Sequence, residues 1–173
     1  MDVPDLSRIV ETYVAVASLE PLAYYDQLRR DVAPYLRDLR ASGSVRWFSF
    51  LLHTRQQLSP PQDGDGYIVH VRLEPASHLD AAALIAMLPA HFEAPHPVPP
   101  LSAISGLDGD ALRDEDWAQA WWVFGEGSHW LLSLLDAYAV GPPPADVLQY
   151  LHFMTNPLLL GMQSVHVPSG RQF

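Results

Sequence analysis

The chain has 173 residues, 49% hydrophobic and 17% charged, which suits one folded domain over residues 1–173 with room for an apolar core. A formal charge of −10 excludes a broad nucleic-acid surface and docking on acidic membranes, and the absence of cysteine excludes disulfides, thiolate nucleophiles and cysteine-held metals. No basic and apolar signal segment opens the chain and no apolar run approaches about 18 residues, so the expectation is a cytoplasmic protein.

Thr12–Ser18 is rich in β-branched and aromatic residues and predicts a strand. Glu20–Arg40 has helical spacing, with Leu28, Val32, Tyr35, Leu36 and Leu39 on one face. Pro34 should kink or divide that helix, and Ser42-Gly43-Ser44 should stop it. Val45–Thr54 is an apolar strand, Arg55–Gly66 a turn-rich loop, and Tyr67–Glu74 a second strand, paired antiparallel as a long-looped hairpin. Leu79–Phe92 reads as a helix with Asp80 in its first turn, where a negative charge suits the dipole. Glu93–Ser105 is proline-rich and predicts an extended connector. Helices are expected over Asp110–Trp122 and Ser128–Tyr138, split by Gly125-Glu126-Gly127. A last helix over Ala145–Thr155 has Pro144 at its first position, and Ser164–Val167 could add an edge strand. The fold class is therefore α+β: an antiparallel sheet of about four strands with helices packed mainly on one face. Its sheet faces and edges leave room for a homodimer.

The strand at 67–74 carries the chemistry. Tyr67, Val69, Val71 and Leu73 face one way; Ile68, His70, Arg72 and Glu74 face the other. An imidazole, a guanidinium and a carboxylate in one row offer a base beside a fixed cation, the beginnings of enolate chemistry. The same row also fits the solvated outer face of an antiparallel sheet.

Eight histidines invite a metal, yet no His-Glu-x-x-His or His-x-His cluster occurs; His91 and His96 straddle a proline break, and His53 and His70 sit on paired strands. No metal and no other cofactor is expected. Neither a phosphate-binding glycine loop nor a Gly-x-Ser-x-Gly elbow is present. His152 lies at the margin of a helical stripe made by Val147, Leu148, Leu151 and Met154. It is either a packed core histidine or a partly buried base. Trp117, Trp121, Trp122 and Trp130 surround Phe124, as core filling or as the aromatic wall of a pocket for a flat ligand.

Five segments taken in order resemble a family: the C-terminal elimination domain of class I lanthipeptide dehydratases and the related thiopeptide biosynthesis proteins, including the pyridine-forming [4+2] cyclases. They are the helix Glu20–Arg40, the aromatic strand Val45–Thr54, the strand His70-Val71-Arg72-Leu73-Glu74, the segment Val123-Phe124-Gly125-Glu126, and His152-Phe153-Met154-Thr155-Asn156-Pro157. Glu74, Val123 and Pro157 stand where the family pattern has arginines. The resemblance implies an enzyme of ribosomal-peptide maturation acting on a dehydroamino-acid peptide. With most of the family's carboxylate-gripping arginines replaced, it points to cycloaddition and aromatisation before glutamate elimination. It implies Arg72 orienting a carbonyl, His152 moving a proton and His70 supporting either step. Trp121, Trp122, Phe124, Glu74 and Asn156 would contact the substrate. The partners implied are a modified precursor peptide and other enzymes of the pathway. The alternative is a non-catalytic scaffold subunit of a dehydratase or cyclase complex.

Overall fold

A computed structural model describes residues 4–18, 20–55, 66–97 and 114–138, with the backbone course alone at 21, 54 and 114–121. The predicted architecture is present: one four-stranded antiparallel sheet with helices gathered mainly on one face. In chain order these are strand β1 (Val10–Val16), helix α1 (Pro21–Gln27), helix α2 (Ala33–Ala41), strand β2 (Val45–Thr54), strand β3 (Tyr67–Pro75), helix α3 (Ala81–Met87), strand β4 (Glu93–Pro97) and helix α4 (Asp114–Ala137). The spatial strand order is β2-β3-β1-β4. The expected helix at 145–155 and strand at 164–167 lie outside the described residues.

Alternation sorts the strands into two faces. Val10 and Val14 of β1, Phe48 and Phe50 of β2, and Val69, Val71 and Leu73 of β3 share the principal core. The predicted helical stripe supplies Leu28, Val32, Leu36 and Leu39 from the other side of that core. Each such side chain, fully buried, contributes roughly 1.5–3 kcal/mol. Pro34 divides the long helix as anticipated, by a specific device: a single π-helical turn over Leu28–Val32 joins α1 to α2. Proline cannot donate to the ladder and its ring crowds the carbonyl one turn back, which the wider turn relieves. Gln27 ties α1 to the end of β1, donating to the Ala15 carbonyl at 2.6 Å and accepting from the Ala17 N–H at 3.1 Å.

Several elements differ from the sequence reading. β1 starts at Val10, two residues earlier, which brings Glu11 into the sheet. α3 is shorter than Leu79–Phe92: Asp80 is its N-cap, accepting from the Ala83 N–H at 2.7 Å, and Leu88 is already extended because Pro89 follows. The connector from Glu93 is a true edge strand; prolines are tolerated there because one side of an edge needs no donors. Finally, Gly125-Glu126-Gly127 does not split α4, which runs unbroken for 24 residues.

The reason lies at the β2 edge, which α4 covers. Ser128 Oγ accepts the Phe50 N–H at 2.9 Å and donates to the Phe124 carbonyl at 2.8 Å, satisfying an edge group that would otherwise be open to strand addition. Gly125 lets the helix approach the Trp47 indole: a Cβ there would overlap its Nε1 and stand 2.8 Å from its Cε2. Gly127 meets nothing within 4 Å. The two glycines should therefore respond oppositely to alanine. Gly127→Ala is expected to gain about 0.5–1 kcal/mol from helix propensity, and Gly125→Ala to lose about 1–3 kcal/mol to overpacking. Denaturant midpoints of both variants check this; a stabilised Gly125→Ala would refute the close approach.

Candidate functional site

The second face of the sheet holds a buried polar cluster. The register places Ser49, Arg72, Glu11 and His96 in one row across β2, β3, β1 and β4, with Leu51, His70, Tyr13 and Glu93 in the next. Local irregularity aims the last of these strands. Between Glu11 and Tyr13 the β1–β4 register slips, with Ala94 at φ 44° and the Thr12 hydroxyl donating to the Glu93 carbonyl at 2.9 Å. A bulge of this kind re-aims side chains at a sheet edge, and here His96 Nε2 comes within 3.8 Å of Glu11 Oε2.

Glu11 is the hub. Arg72 Nε donates to its Oε1 at 2.7 Å, and His70 Nε2 stands 3.1 Å from the same oxygen, off the line of the N–H bond. Burial pushes the Glu11 carboxyl up, but the adjoining His70 imidazole and Arg72 guanidinium outweigh it and hold the group well below the ordinary carboxylate range. Burial pushes His70 down to about 4, helped by the Arg72 charge and opposed by Glu11. At neutral pH the cluster is therefore an ionised Glu11–Arg72 pair beside a neutral His70. His53 follows the same logic, driven down to about 3 by burial and then by His70 and Arg72. Burial, reinforced by the Glu11 charge, raises the Tyr13 phenol to about 12. The rings form a chain, His53–His70 at 5.3 Å, His70–Tyr13 at 5.1 Å and Tyr13–His96 at 6.0 Å between centroids.

The expected row of three is thus rearranged. His70 and Arg72 do sit side by side on this face, and the face is not a solvated one: His70 is only 4% exposed. Glu74 belongs to a different pair. Trp47 faces Glu74 across the sheet and Arg46 is the extra residue of a β2 bulge, so the Arg46 guanidinium bridges Glu74 Oε1, with Nε at 2.9 Å and an NH2 nitrogen at 2.8 Å. Glu74 is completely buried there.

The aromatic wall also divides. Trp122 and Phe124 lie two residues apart on one helix, about 200° around its axis, and cannot line one surface. Phe124 packs into a small core with Ile9 and Trp47, whereas Trp122 and Trp130 stay 38% and 46% exposed. Trp121 is on the α4 backbone, with its side chain outside the described residues; His152 and Asn156 lie outside them entirely. Trp130 does line an open cleft of about 550 Å³ with Arg40, Arg46, Glu126, His129 and Ser133, where Arg40 donates to His129 Nδ1 at 2.9 Å.

Sequence reasoning missed Glu11. Its partner Arg72 is 61 residues away, and the strand had been begun one residue too late to include it. The available signal was alternation: Glu11, Tyr13 and Ala15 share a face, so extending the strand by two residues would have placed a carboxylate there. Among the described residues no group of three or more His, Cys, Asp or Glu side chains is placed to hold a metal ion, and no helix is long and apolar enough to cross a membrane.

No protein-family model, curated protein or solved structure matches this chain.

Proposed function

We propose that the chain takes part in maturation of a ribosomally synthesised peptide of thiopeptide or lanthipeptide type, acting on a dehydroamino-acid substrate. The observation that carries the reading is the neutral His70 set against the Arg72–Glu11 pair on one sheet face. A neutral imidazole can take a proton, and a fixed guanidinium can polarise a carbonyl as charge develops on it. The order of the five family-like segments supplies the substrate class.

Within that class we favour cycloaddition of two dehydroalanines, followed by loss of water and of the leader peptide to give a pyridine. Glutamate elimination asks for a cation that grips a departing carboxylate. Arg72 already holds a carboxylate, that of Glu11, and Glu74 has taken Arg46. A formal [4+2] reaction instead needs positioning, a donor and one proton shuttle. His152 keeps its proposed place in proton transfer.

A second reading is favoured by one specific observation. His70 is almost sealed, as expected of a non-catalytic subunit that docks on a dehydratase or cyclase and keeps its charge cluster for structure. Co-purification with pathway enzymes separates the two. The enzyme reading expects turnover by the isolated protein; a stable complex without turnover by the chain alone establishes the scaffold. In the enzymatic case Arg72→Lys, which keeps the charge and loses the fork, should lower turnover at least tenfold with the fold retained, as seen by circular dichroism. Unchanged turnover would remove Arg72 from the mechanism.

A further inference from the structure

His70 presents two different nitrogens. Nε2 stands 3.1 Å from Glu11 Oε1, beside the carboxylate although off the line of a hydrogen bond. Nδ1 is buried and has no hydrogen-bond partner among the described residues. Buried polar atoms are nearly always paired, and an exception calls for a reason. The adjacent His53 ring repeats the feature: its Nε2 is also buried and without a hydrogen-bond partner among the described residues, and the two rings meet edge to face. Two enclosed acceptor-capable nitrogens thus lie on neighbouring side chains of one sheet face.

We propose that Glu11 is a positioning residue that fixes His70 in the Nε2–H tautomer, leaving the Nδ1 lone pair as the atom that accepts a proton from substrate. This rests on, and sharpens, the reading of His70 as a base. The carboxylate stays ionised throughout. When Nδ1 takes the proton, the imidazolium holds N–H bonds on both nitrogens and its Nε2–H faces a negative charge. The proton then returns to the substrate or leaves to solvent, and Glu11 neither gains nor loses one. A carboxylate behind a histidine acts in this way wherever it sets tautomer and stabilises the forming cation. Among the described residues, the titratable or charged groups around the ring are Glu11 and Tyr13 from β1, His53 from β2, Arg72 from β3 and His96 from β4. Arg72 opposes the imidazolium and Glu11 favours it, so the carboxylate decides whether His70 can be charged at all.

The test is long-range ¹H–¹⁵N correlation on histidine-labelled protein at pH 7. The expected result is a His70 signal set with Nε2 protonated and Nδ1 bare. A ring protonated on Nδ1 overturns the proposal, with no variant needed. In Glu11→Gln the titration of His70 should move to lower pH, because the charge favouring the imidazolium is gone; an unmoved titration also overturns it. With substrate, the same variant should lose about a hundredfold in kcat with KM little changed. If the tautomer is as expected but the wild-type protein turns over no peptide, the tautomer assignment stands, and the proton transfer from substrate falls with the enzymatic reading.

Discussion

Arg72→Ala should destabilise the fold by about 3–5 kcal/mol at neutral pH, the usual result of removing one partner from a buried ion pair. The side chains of Arg72 and Glu11 are 16% and 11% exposed, so solvent screens the pair little. What makes the substitution costly is the charge left behind more than the bond removed. In the variant, Glu11 keeps its burial and loses its guanidinium, so its carboxyl moves up from the depressed position it holds in the wild type. The penalty applies while that carboxyl is ionised, and the gap between variant and wild type should narrow as pH falls through the carboxylate range. Urea denaturation at pH 7 and pH 4 measures both. Adding Glu11→Gln to Arg72→Ala should restore much of the loss, because two neutralised partners leave no orphan charge. An Arg72→Ala protein as stable as wild type at pH 7 would mean that Glu11 is solvated, and the cluster as described would be wrong.

Mild acid should weaken the wild-type protein well before carboxylates titrate. His70 has an ordinary value of 6.5 and sits at about 4 in the fold. Between those limits the unfolded chain binds a proton that the folded chain does not, so stability rises with pH across the interval and is lost on acidification. At about 1.36 kcal/mol per pH unit, the full interval is worth about 3 kcal/mol. His53 is shifted in the same direction and deepens the effect. Glu11 adds a later loss: its folded value is depressed, so its contribution is present above 4.5 and disappears as pH falls below that. The expected profile is a decline that begins near pH 6.5 and steepens below 4.5. His70→Gln should make the first part shallower, His53 keeping the remainder, and lessen the second, because His70 helps to depress Glu11. A flat profile from pH 7 to 5 in the wild type would show that neither imidazole is buried neutral.

Much of this fold could be read from periodicity alone, and the reasons are local. The β2–β3 hairpin shows a period of two between apolar and polar side chains on β3, and the α2 stripe shows a period near 3.6. The features that could not be read depend on distant partners. β4 looks like a proline-rich connector because its edge position excuses Pro95 and Pro97 from donating, and only pairing with β1 reveals the strand. The continuous α4 looks broken because Gly125 is a breaker in isolation and a contact surface beside Trp47. At the site, His70 and Arg72 could be found because they share one strand. Alternation could put Glu11 on a sheet face but could not reveal its meeting with Arg72 and His96, since sheet order β2-β3-β1-β4 inserts β1 between β3 and β4 and brings together residues far apart in sequence. Glu74 shares the face of His70 and Arg72, but the bulge at Arg46 gives it a different partner.

The proposed chemistry of this charge cluster is on a dehydrated peptide. It is tested most directly by mass spectrometry of a dehydroalanine- and azole-containing precursor incubated with the purified protein, beside His70→Gln under the same conditions. The account predicts loss of the leader peptide and of one water with the appearance of an aromatic chromophore in the wild type, and neither change with the variant. A peptide left unchanged by the wild-type protein, or converted equally by His70→Gln, would contradict it.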